Sequence, residues 1–98
     1  MTKITDEFLR YMRYEKNRSP LTVKAYHDDL LDFETFFTDR DEALTWQTVD
    51  ADIIRDWMEH MMERGNKSAS VNRRLSAVKM LFRFALSRHL VERDPAHM

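Results

Sequence analysis

The stretch of residues 68–90, SASVNRRLSAVKMLFRFALSRHL, constrains the fold most, because its side chains divide into two faces at helical spacing. One face has the apolar spacing of a helix that packs against a core, and it consists of Val71, Leu75, Val78, Phe82, Ala85 and Leu86. A narrower polar stripe lies about a quarter turn away and consists of Asn72, Ser76, Lys79 and Arg83. Because this stripe has no carboxylate, it is either solvated surface or a face for phosphates and base edges.

The composition predicts one small helical domain. The 98 residues, 43% of them hydrophobic, suffice for a single core and are too few for two. A single glycine and two prolines are not typical of a turn-rich β protein. We therefore expect an all-α fold, a compact bundle of four helices.

Local signals place the first two helices. Thr5 or Asp6 is a candidate N-cap for a first helix that runs to about Asn17. Ser19 is the expected N-cap of a second helix, because Pro20 suits the first helical position. Apolar residues then recur at spacings of three and four to about residue 37, and they are Val23, Tyr26, Leu30, Phe33 and Phe37.

The rest of the chain is divided in the same way. Residues 38–49 lack helical periodicity and read as a loop that is anchored by apolar residues, namely Leu44, Trp46 and Val49. Asp50 is the expected N-cap of a third helix, and Gly65 its left-handed stop. Ser68 or Ser70 is expected to cap the fourth helix. After Leu90 the helical pattern is lost, so we expect a domain of residues 1–93 followed by the start of a linker at 94–98.

The net charge of −1 hides a strong segregation of charge along the chain. Residues 1–26 carry a net charge of +3, residues 27–63 carry −10, and residues 64–93 carry +7. Such a bipolar chain is typical of a protein with one face for a polyanion. The carboxylates of residues 27–63 are expected to form a solvated helix surface.

Several kinds of chemistry are not indicated. The chain has no cysteine, and its four histidines are not at metal-ligand spacing, so we expect no metal site. One glycine cannot form a phosphate-cradling loop, and no motif pairs a nucleophile with a base, so we expect no cofactor and no catalysis by this chain alone. No apolar run approaches the roughly 18 residues of a membrane span, which favours a cytoplasmic protein with no membrane partner.

Two segments resemble the core-binding domain of tyrosine recombinases, the phage-integrase and Xer group. In EKNRSPLTVKAYHDDLLDF, the family's Ser, Thr, Tyr and Asp-Leu positions are occupied by Ser19, Thr22, Tyr26 and Asp29-Leu30. In KSASVNRRLSAVKMLFRFAL, the positions of the family's last core-binding helix are occupied by Ser70, Arg73, Leu75-Ser76-Ala77, Lys79, Phe82 and Phe84. The closing Arg93-Asp94-Pro95 is similar to the family's exit into its interdomain linker.

The resemblance implies a compact, orthogonal four-helix bundle, a SAM-like core-binding domain that clamps a recombination site, with its second and fourth helices at the major groove of double-stranded DNA. Strand cleavage would belong to a separate C-terminal catalytic domain, and Tyr26 would not be the nucleophile. Other recombinase protomers would be partners in the full-length assembly, whereas the isolated domain would be monomeric and bind weakly. His27-Asp28 stands where many relatives have two basic residues, which places more of the affinity on the fourth helix.

Residue type suggests how each candidate contacts DNA. Phosphate contacts are expected from residues near the starts of the second and fourth helices, namely Ser19, Thr22, Lys24, Lys67, Ser70 and Arg73. Longer reach, toward base edges, is expected from Asn72, Lys79 and Arg83, and Ser76 is a further DNA-binding candidate on the same polar stripe.

Two other functions stay open at this point. A helical protein-interaction module would use apolar residues off the core-facing side of the last helix, namely Met80, Leu81 and Phe84. A helix-turn-helix regulator ranks last, because the helices are long and the turn before the fourth suits that motif poorly.

Overall fold

In the computed structural model, which describes residues 2–97, the chain forms four helices and no strand within that range. They are α1 (Lys3–Tyr14), α2 (Pro20–Arg40), α3 (Ala51–Glu63) and α4 (Ser68–Ser87). The helices α2 and α4 pack against each other, and α1 and α3 each contact both of them. The prediction of an all-α, four-helix domain is confirmed.

Aromatic side chains from α2, α3 and the α2–α3 connection fill the middle of the core. The ring centroid of Phe33 lies 5.4 Å from that of Trp46 and 4.7 Å from that of Trp57. Both indoles are fully buried, and each N–H group finds a carboxylate: Trp46 donates to Glu34 at 2.8 Å and Trp57 to Asp32 at 2.9 Å. Both buried N–H groups therefore have a hydrogen-bond acceptor. The bond from Trp46 also anchors the connecting loop, as predicted.

The predicted ends of α2 and α3 are confirmed by their hydrogen bonds. The Ser19 hydroxyl accepts from the Thr22 N–H at 3.2 Å, and the Asp50 carboxylate accepts from the Ile53 N–H at 3.0 Å. Each cap satisfies one donor that the first turn of a helix leaves open. Gly65 has φ +90 and ends α3 in the left-handed conformation that glycine adopts without strain.

The predicted start of α1 is wrong. The helix begins at Lys3 with Thr2 as N-cap, so Thr5 and Asp6 lie inside it. Thr5 is buried and its hydroxyl donates to the Thr2 carbonyl at 2.7 Å. Burial of Ile4 on the core side of α1 extends the helix ahead of the polar residues that resemble a cap.

Both ends of α4 also differ from the sequence prediction. Lys67 is the N-cap and makes no side-chain cap bond, whereas Ser68 and Ser70 lie within the helix. The helix ends at Ser87, three residues before Leu90, because His89 adopts φ +59. The Leu90 N–H then reaches back to the Ala85 carbonyl at 2.8 Å, which closes a Schellman-type end without glycine.

The core-facing side of α4 is wider than its apolar spacing indicates. Five of the six predicted core residues are buried, but Leu86 is 41% exposed. Leu81 and Phe84, predicted to lie off the core, are only 0% and 7% exposed. The reason is that α4 is covered from several sides, since the Phe84 ring lies 5.6 Å from the Phe8 ring of α1.

The segment after α4 folds back onto the core. Val91 and Ala96 are buried, and the Asp94 carboxylate accepts from the Ala96 N–H at 2.9 Å. Val91 and Ala96 extend the core without helical periodicity, so their burial could not be predicted from the sequence pattern. The domain boundary after Arg93 stays a prediction, and Met98 lies outside the described residues.

Candidate nucleic-acid interface

The polar stripe of α4 faces away from the core. Asn72, Ser76 and Arg83 are exposed, and Lys79 is half-buried. Among residues 2–97, neither Lys79 nor Arg83 takes part in an ion pair or a side-chain hydrogen bond. The Ser76 hydroxyl, by contrast, donates to the Asn72 carbonyl at 2.9 Å within the helix. The two cations can therefore meet an anionic ligand without first giving up a partner.

The start of α4 presents a second set of groups for an anion. Lys67 is exposed, Ser70 is half-buried, and no side chain caps the N–H groups of the first turn. Such N–H groups lie at the positive end of the helix dipole and favour phosphate oxygens. Lys67 lies roughly 24 Å from Arg83 along the helix axis at 1.5 Å per residue. The predicted residues of α4 therefore form a band and not a compact patch.

The start of α2 lies beside the far end of this band. Arg18, just before α2, and Arg83 line the same groove, while Asp29 in the middle of α2 contacts Arg73 near the start of α4. This arrangement brings Ser19 and its neighbours in the first turn of α2 near the Arg83 end of α4 and away from Lys67.

Two of the three predicted residues of α2 are engaged within their own helix. The Ser19 hydroxyl accepts from the Thr22 N–H and donates to the Thr22 hydroxyl at 3.0 Å. The Lys24 ammonium forms an ion pair with Asp28 at 3.0 Å. Hydrogen bonds from Lys24 and then His27 lower the pKa of the Asp28 carboxyl. Asp28 therefore offsets part of the charge of Lys24, whereas the Thr22 hydroxyl keeps its own proton to donate.

Arg73 is exposed yet tied to a buried acid. Its Nη1 donates to the Asp29 Oδ2 at 3.1 Å, and the Asp29 side chain is only 5% exposed. The sequence analysis assigned Asp29 to the solvated acidic surface, and the structure corrects this, because α4 covers that side of α2. Burial raises the pKa of the Asp29 carboxyl, while the charges of Arg73 and Arg74 act in the opposite direction.

The structure adds two cations that the residue-by-residue reading did not single out. A groove of about 350 Å³ between α1 and α4 has Lys16, Arg18 and Arg83 among its lining residues. Its apolar lining comes from Phe8, Tyr11, Met12, Met80 and Phe84. Lys16 and Arg18 stand in the turn between α1 and α2, inside the segment whose net charge is +3. That regional charge was the available signal for them.

Other kinds of site find no support in residues 2–97. In this range no three His, Asp or Glu side chains are grouped as a metal ion would require. No helix there is long and apolar enough to cross a bilayer. Tyr26 is half-buried, with its ring 6.3 Å from that of Phe8, as a packing residue would be.

Comparison with known proteins gives a consistent result. The family model for the phage integrase N-terminal SAM-like domain matches residues 5–89. The chain is 33% identical over 94 residues to tyrosine recombinase XerC of Pelotomaculum thermopropionicum, covering 92% of this chain and 31% of that protein. It is 36% identical over 95 residues to XerC of Roseiflexus castenholzii, covering 97% of this chain and 30% of that protein.

A tyrosine recombinase XerD, from Bradyrhizobium diazoefficiens, is 36% identical over 94 residues, covering 96% of this chain and 29% of that protein. No solved structure matches the chain. The chain thus spans a little under one third of the length of these three relatives. Since the family model covers most of the sequence and the four observed helices agree with a SAM-like domain, the chain belongs to the phage integrase N-terminal SAM-like domain family, together with the N-terminal parts of Xer tyrosine recombinases.

Proposed function

We propose that this chain binds double-stranded DNA as the core-binding domain of a site-specific tyrosine recombinase. The observation that carries the proposal is a set of four cations that have no ion-pair partner within residues 2–97: Lys79 and Arg83 on α4, together with Lys16 and Arg18, which line the same groove as Arg83. Cations that no carboxylate neutralises are what a polyanion binds. Membership of an integrase domain family supports the same function.

The candidate residues divide into two roles by position. Groups near the helix starts position the domain on phosphates, and they are Ser19, Thr22, Lys24, Lys67, Ser70 and Arg73. Side chains on the outer face of α4 reach base edges in the major groove, and they are Asn72, Ser76, Lys79 and Arg83. Lys24 and Ser76 contribute least, because Asp28 and the Asn72 carbonyl already engage them.

The size of the band fits a groove contact. The roughly 24 Å between Lys67 and Arg83 corresponds to about seven base pairs at 3.4 Å each. A helix lying along the major groove over that distance places Lys67 near phosphates at one end. Asn72, Lys79 and Arg83 then lie further along the groove, over the base edges.

Strand exchange is assigned to a different part of such a recombinase, and other protomers are its partners in the assembled complex. The chain alone contributes binding, and it binds weakly as a monomer, because it supplies one side of a clamp. The net charge of −10 on residues 27–63 further opposes long-range attraction to DNA.

The experiment that tests this function begins with selection from a pool of duplexes with a randomised centre. The enriched duplex is then titrated with the protein at increasing salt, since each phosphate neutralised contributes about −0.9 to the slope of log affinity against log salt. Replacing Lys16 and Arg18 together by alanine is expected to reduce the steepness of that slope by about two. The matched control replaces Lys3 and Arg55, two exposed cations outside the interface, and leaves the slope unchanged.

Absence of binding to any duplex at low salt would contradict the DNA function. The protein-interaction module loses most of its proposed surface, because Leu81 and Phe84 are buried and Met80 is half-buried. Of that surface, only the part of the groove beside Met80 is left for a partner.

A further inference from the structure

Asp29 is the one ionisable residue of residues 2–97 that is buried, with 4% of its surface exposed. A buried carboxylate is costly unless it is paired and hydrogen-bonded. The burial of Asp29 in the middle of α2, under α4, is therefore explained by the groups that pair with it. The explanation bears on the proposed DNA interface, since one of these partners is a candidate contact residue.

Asp29 has one hydrogen-bond donor within the described part of the chain, and this is Arg73. The Arg73 Nη1 lies 3.1 Å from the Asp29 Oδ2. The Arg74 Nε lies 3.8 Å from the Asp29 Oδ1, which is too far for a hydrogen bond, and that nitrogen has no partner. The other end of Arg74 is held by Asp32, whose Oδ2 lies 3.3 Å from the Arg74 Nη1.

The two adjacent arginines therefore have different surroundings. The Arg74 side chain is 26% exposed and lies between two carboxylates of α2, so it ties α4 to α2. The Arg73 side chain is 54% exposed and gives Asp29 only one of its five N–H donors. Because more than half of the Arg73 side chain is exposed, part of it stays accessible to a ligand.

We infer that Asp29 is a positioning residue for DNA binding: its buried carboxylate holds one edge of the Arg73 guanidinium group so that the opposite edge is presented to a phosphate. The inference rests on the proposed DNA function and deepens it. A free arginine side chain loses rotamer freedom when it binds, whereas a guanidinium group already held at one edge loses less.

A purely structural role explains the arrangement less well. The ion pair adds little to stability, because the cost of desolvating the buried carboxylate offsets much of its attraction to Arg73. Burial raises the pKa of Asp29 in spite of both arginines, so the folded state does not favour the charged carboxylate. A neutral residue of the same shape is thus expected to fold at least as well. Such a variant would lack only the carboxylate that holds the Arg73 guanidinium group.

The test compares Asp29→Asn with Asp39→Asn, a matched control at an exposed acid on the same helix. Each change removes one negative charge, so long-range attraction alone predicts slightly tighter binding for both. If Asp29 positions Arg73, Asp29→Asn binds the selected duplex roughly twofold to 150-fold more weakly, which corresponds to the interaction energies measured between residues in direct contact. Asp39→Asn binds no more weakly than the wild type.

A double-mutant cycle separates positioning from a general effect on the fold. Asp29→Asn is expected to cause no further loss when Arg73 is already alanine, because the interaction that it removes is then absent. Arg73→Lys keeps the charge and loses the fork, so it is expected to weaken binding as Asp29→Asn does. Because Arg73 is exposed, Arg73→Lys is expected to fold like the wild type.

The outcomes that overturn the inference differ from those that overturn the DNA function. If the wild type binds and Arg73→Ala weakens it, but Asp29→Asn binds like Asp39→Asn, the positioning role is wrong and the DNA function stands. The same conclusion follows if Asp29→Asn causes an equal loss of DNA affinity in the wild type and in Arg73→Ala. If the wild type binds no duplex, the DNA function fails and the positioning role fails with it.

Discussion

The two faces of α4 lie in contrasting surroundings although they belong to one helix. Phe82 is fully buried, with its ring 5.5 Å from that of Trp46, whereas Lys79 is only half-buried and has no ion-pair partner within residues 2–97. The first contributes to the free energy of unfolding, and the second is proposed to contribute to the free energy of DNA binding. The difference implies that stability and DNA binding should be separable by mutations on the two faces of one helix.

The largest effect is expected on the buried face. Phe82→Ala removes a ring from a closely packed aromatic cluster and should lower the free energy of unfolding by about 3 to 5 kcal/mol. Urea denaturation followed by circular dichroism measures this loss. Leu86→Ala, at an exposed leucine of the same helix, is the control and should cost much less. Equal losses for the two variants would contradict the assignment of the faces.

The next effect concerns the polar stripe. Lys79→Ala should weaken binding to the selected duplex by about 1 to 3 kcal/mol and relax selectivity at one base position, if Lys79 reads a base edge. The free energy of unfolding of this variant should stay within about 0.5 kcal/mol of that of the wild type, as for other surface substitutions. Lys3→Ala, at a lysine whose side chain is 90% exposed on α1, provides the control. Unchanged affinity together with an unchanged salt slope would rule out this role for Lys79.

Ser19 is both the N-cap of α2 and a proposed phosphate contact, so its substitution tests stability and DNA binding at one residue. Its hydroxyl caps α2, so Ser19→Ala should lower the free energy of unfolding by about 1 kcal/mol. Because that hydroxyl is already bonded to Thr22 twice, the loss of DNA affinity per folded molecule should be smaller. Ser19→Asp keeps a cap acceptor and should restore the stability. A loss of affinity larger than the loss of stability would place Ser19 among the main phosphate contacts.

The smallest effect is a pH dependence at Asp29. Burial, with Asp28 and Asp32 nearby, raises its pKa above the ordinary value of 3.8, while Arg73 and Arg74 act to lower it. The folded state therefore holds this proton more tightly than the unfolded state does, so the contribution of Asp29 to stability falls as the pH rises from 3.8 through the folded-state pKa.

Asp29→Asn cannot lose this proton, so its stability relative to the wild type should rise over the same pH interval and then level off toward neutral pH. Denaturation curves of both proteins across this interval measure the difference, in which the other carboxylates largely cancel. A relative stability that falls as the pH rises would show that the ion pairs outweigh burial, and that Asp29 has a stabilising role.

Much of the fold follows from local rules that the sequence displays. The caps at Ser19 and Asp50 and the stop at Gly65 each depend on a few consecutive residues, and all three are confirmed. The errors at the ends of α1 and α4 have another origin. Ile4 is drawn into α1 by burial, and His89 adopts a conformation for which glycine is the usual signal.

The candidate interface was predicted less completely than the fold. The polar stripe of α4 follows from helical periodicity, so Lys79 and Arg83 were identified without a structure. Lys16 and Arg18 were not, because their proximity to Arg83 depends on how the turn before α2 packs near α4. These two positions, like the ten predicted contact residues, remain predictions until DNA binding is measured.

The sequence by itself determined the number of helices, the start of α2, both ends of α3 and the family, because each depends on residue types at short, regular spacing. Only the tertiary structure decided which polar groups are buried and which side chains meet across helices. It buries Asp29 under α4 and bonds it to Arg73, which is 44 residues away in the chain. It also encloses Leu81 and Phe84, which spacing along one helix places outside the core. The physical reason is that burial depends on every element that packs against a residue, whereas periodicity describes only the residue's own helix.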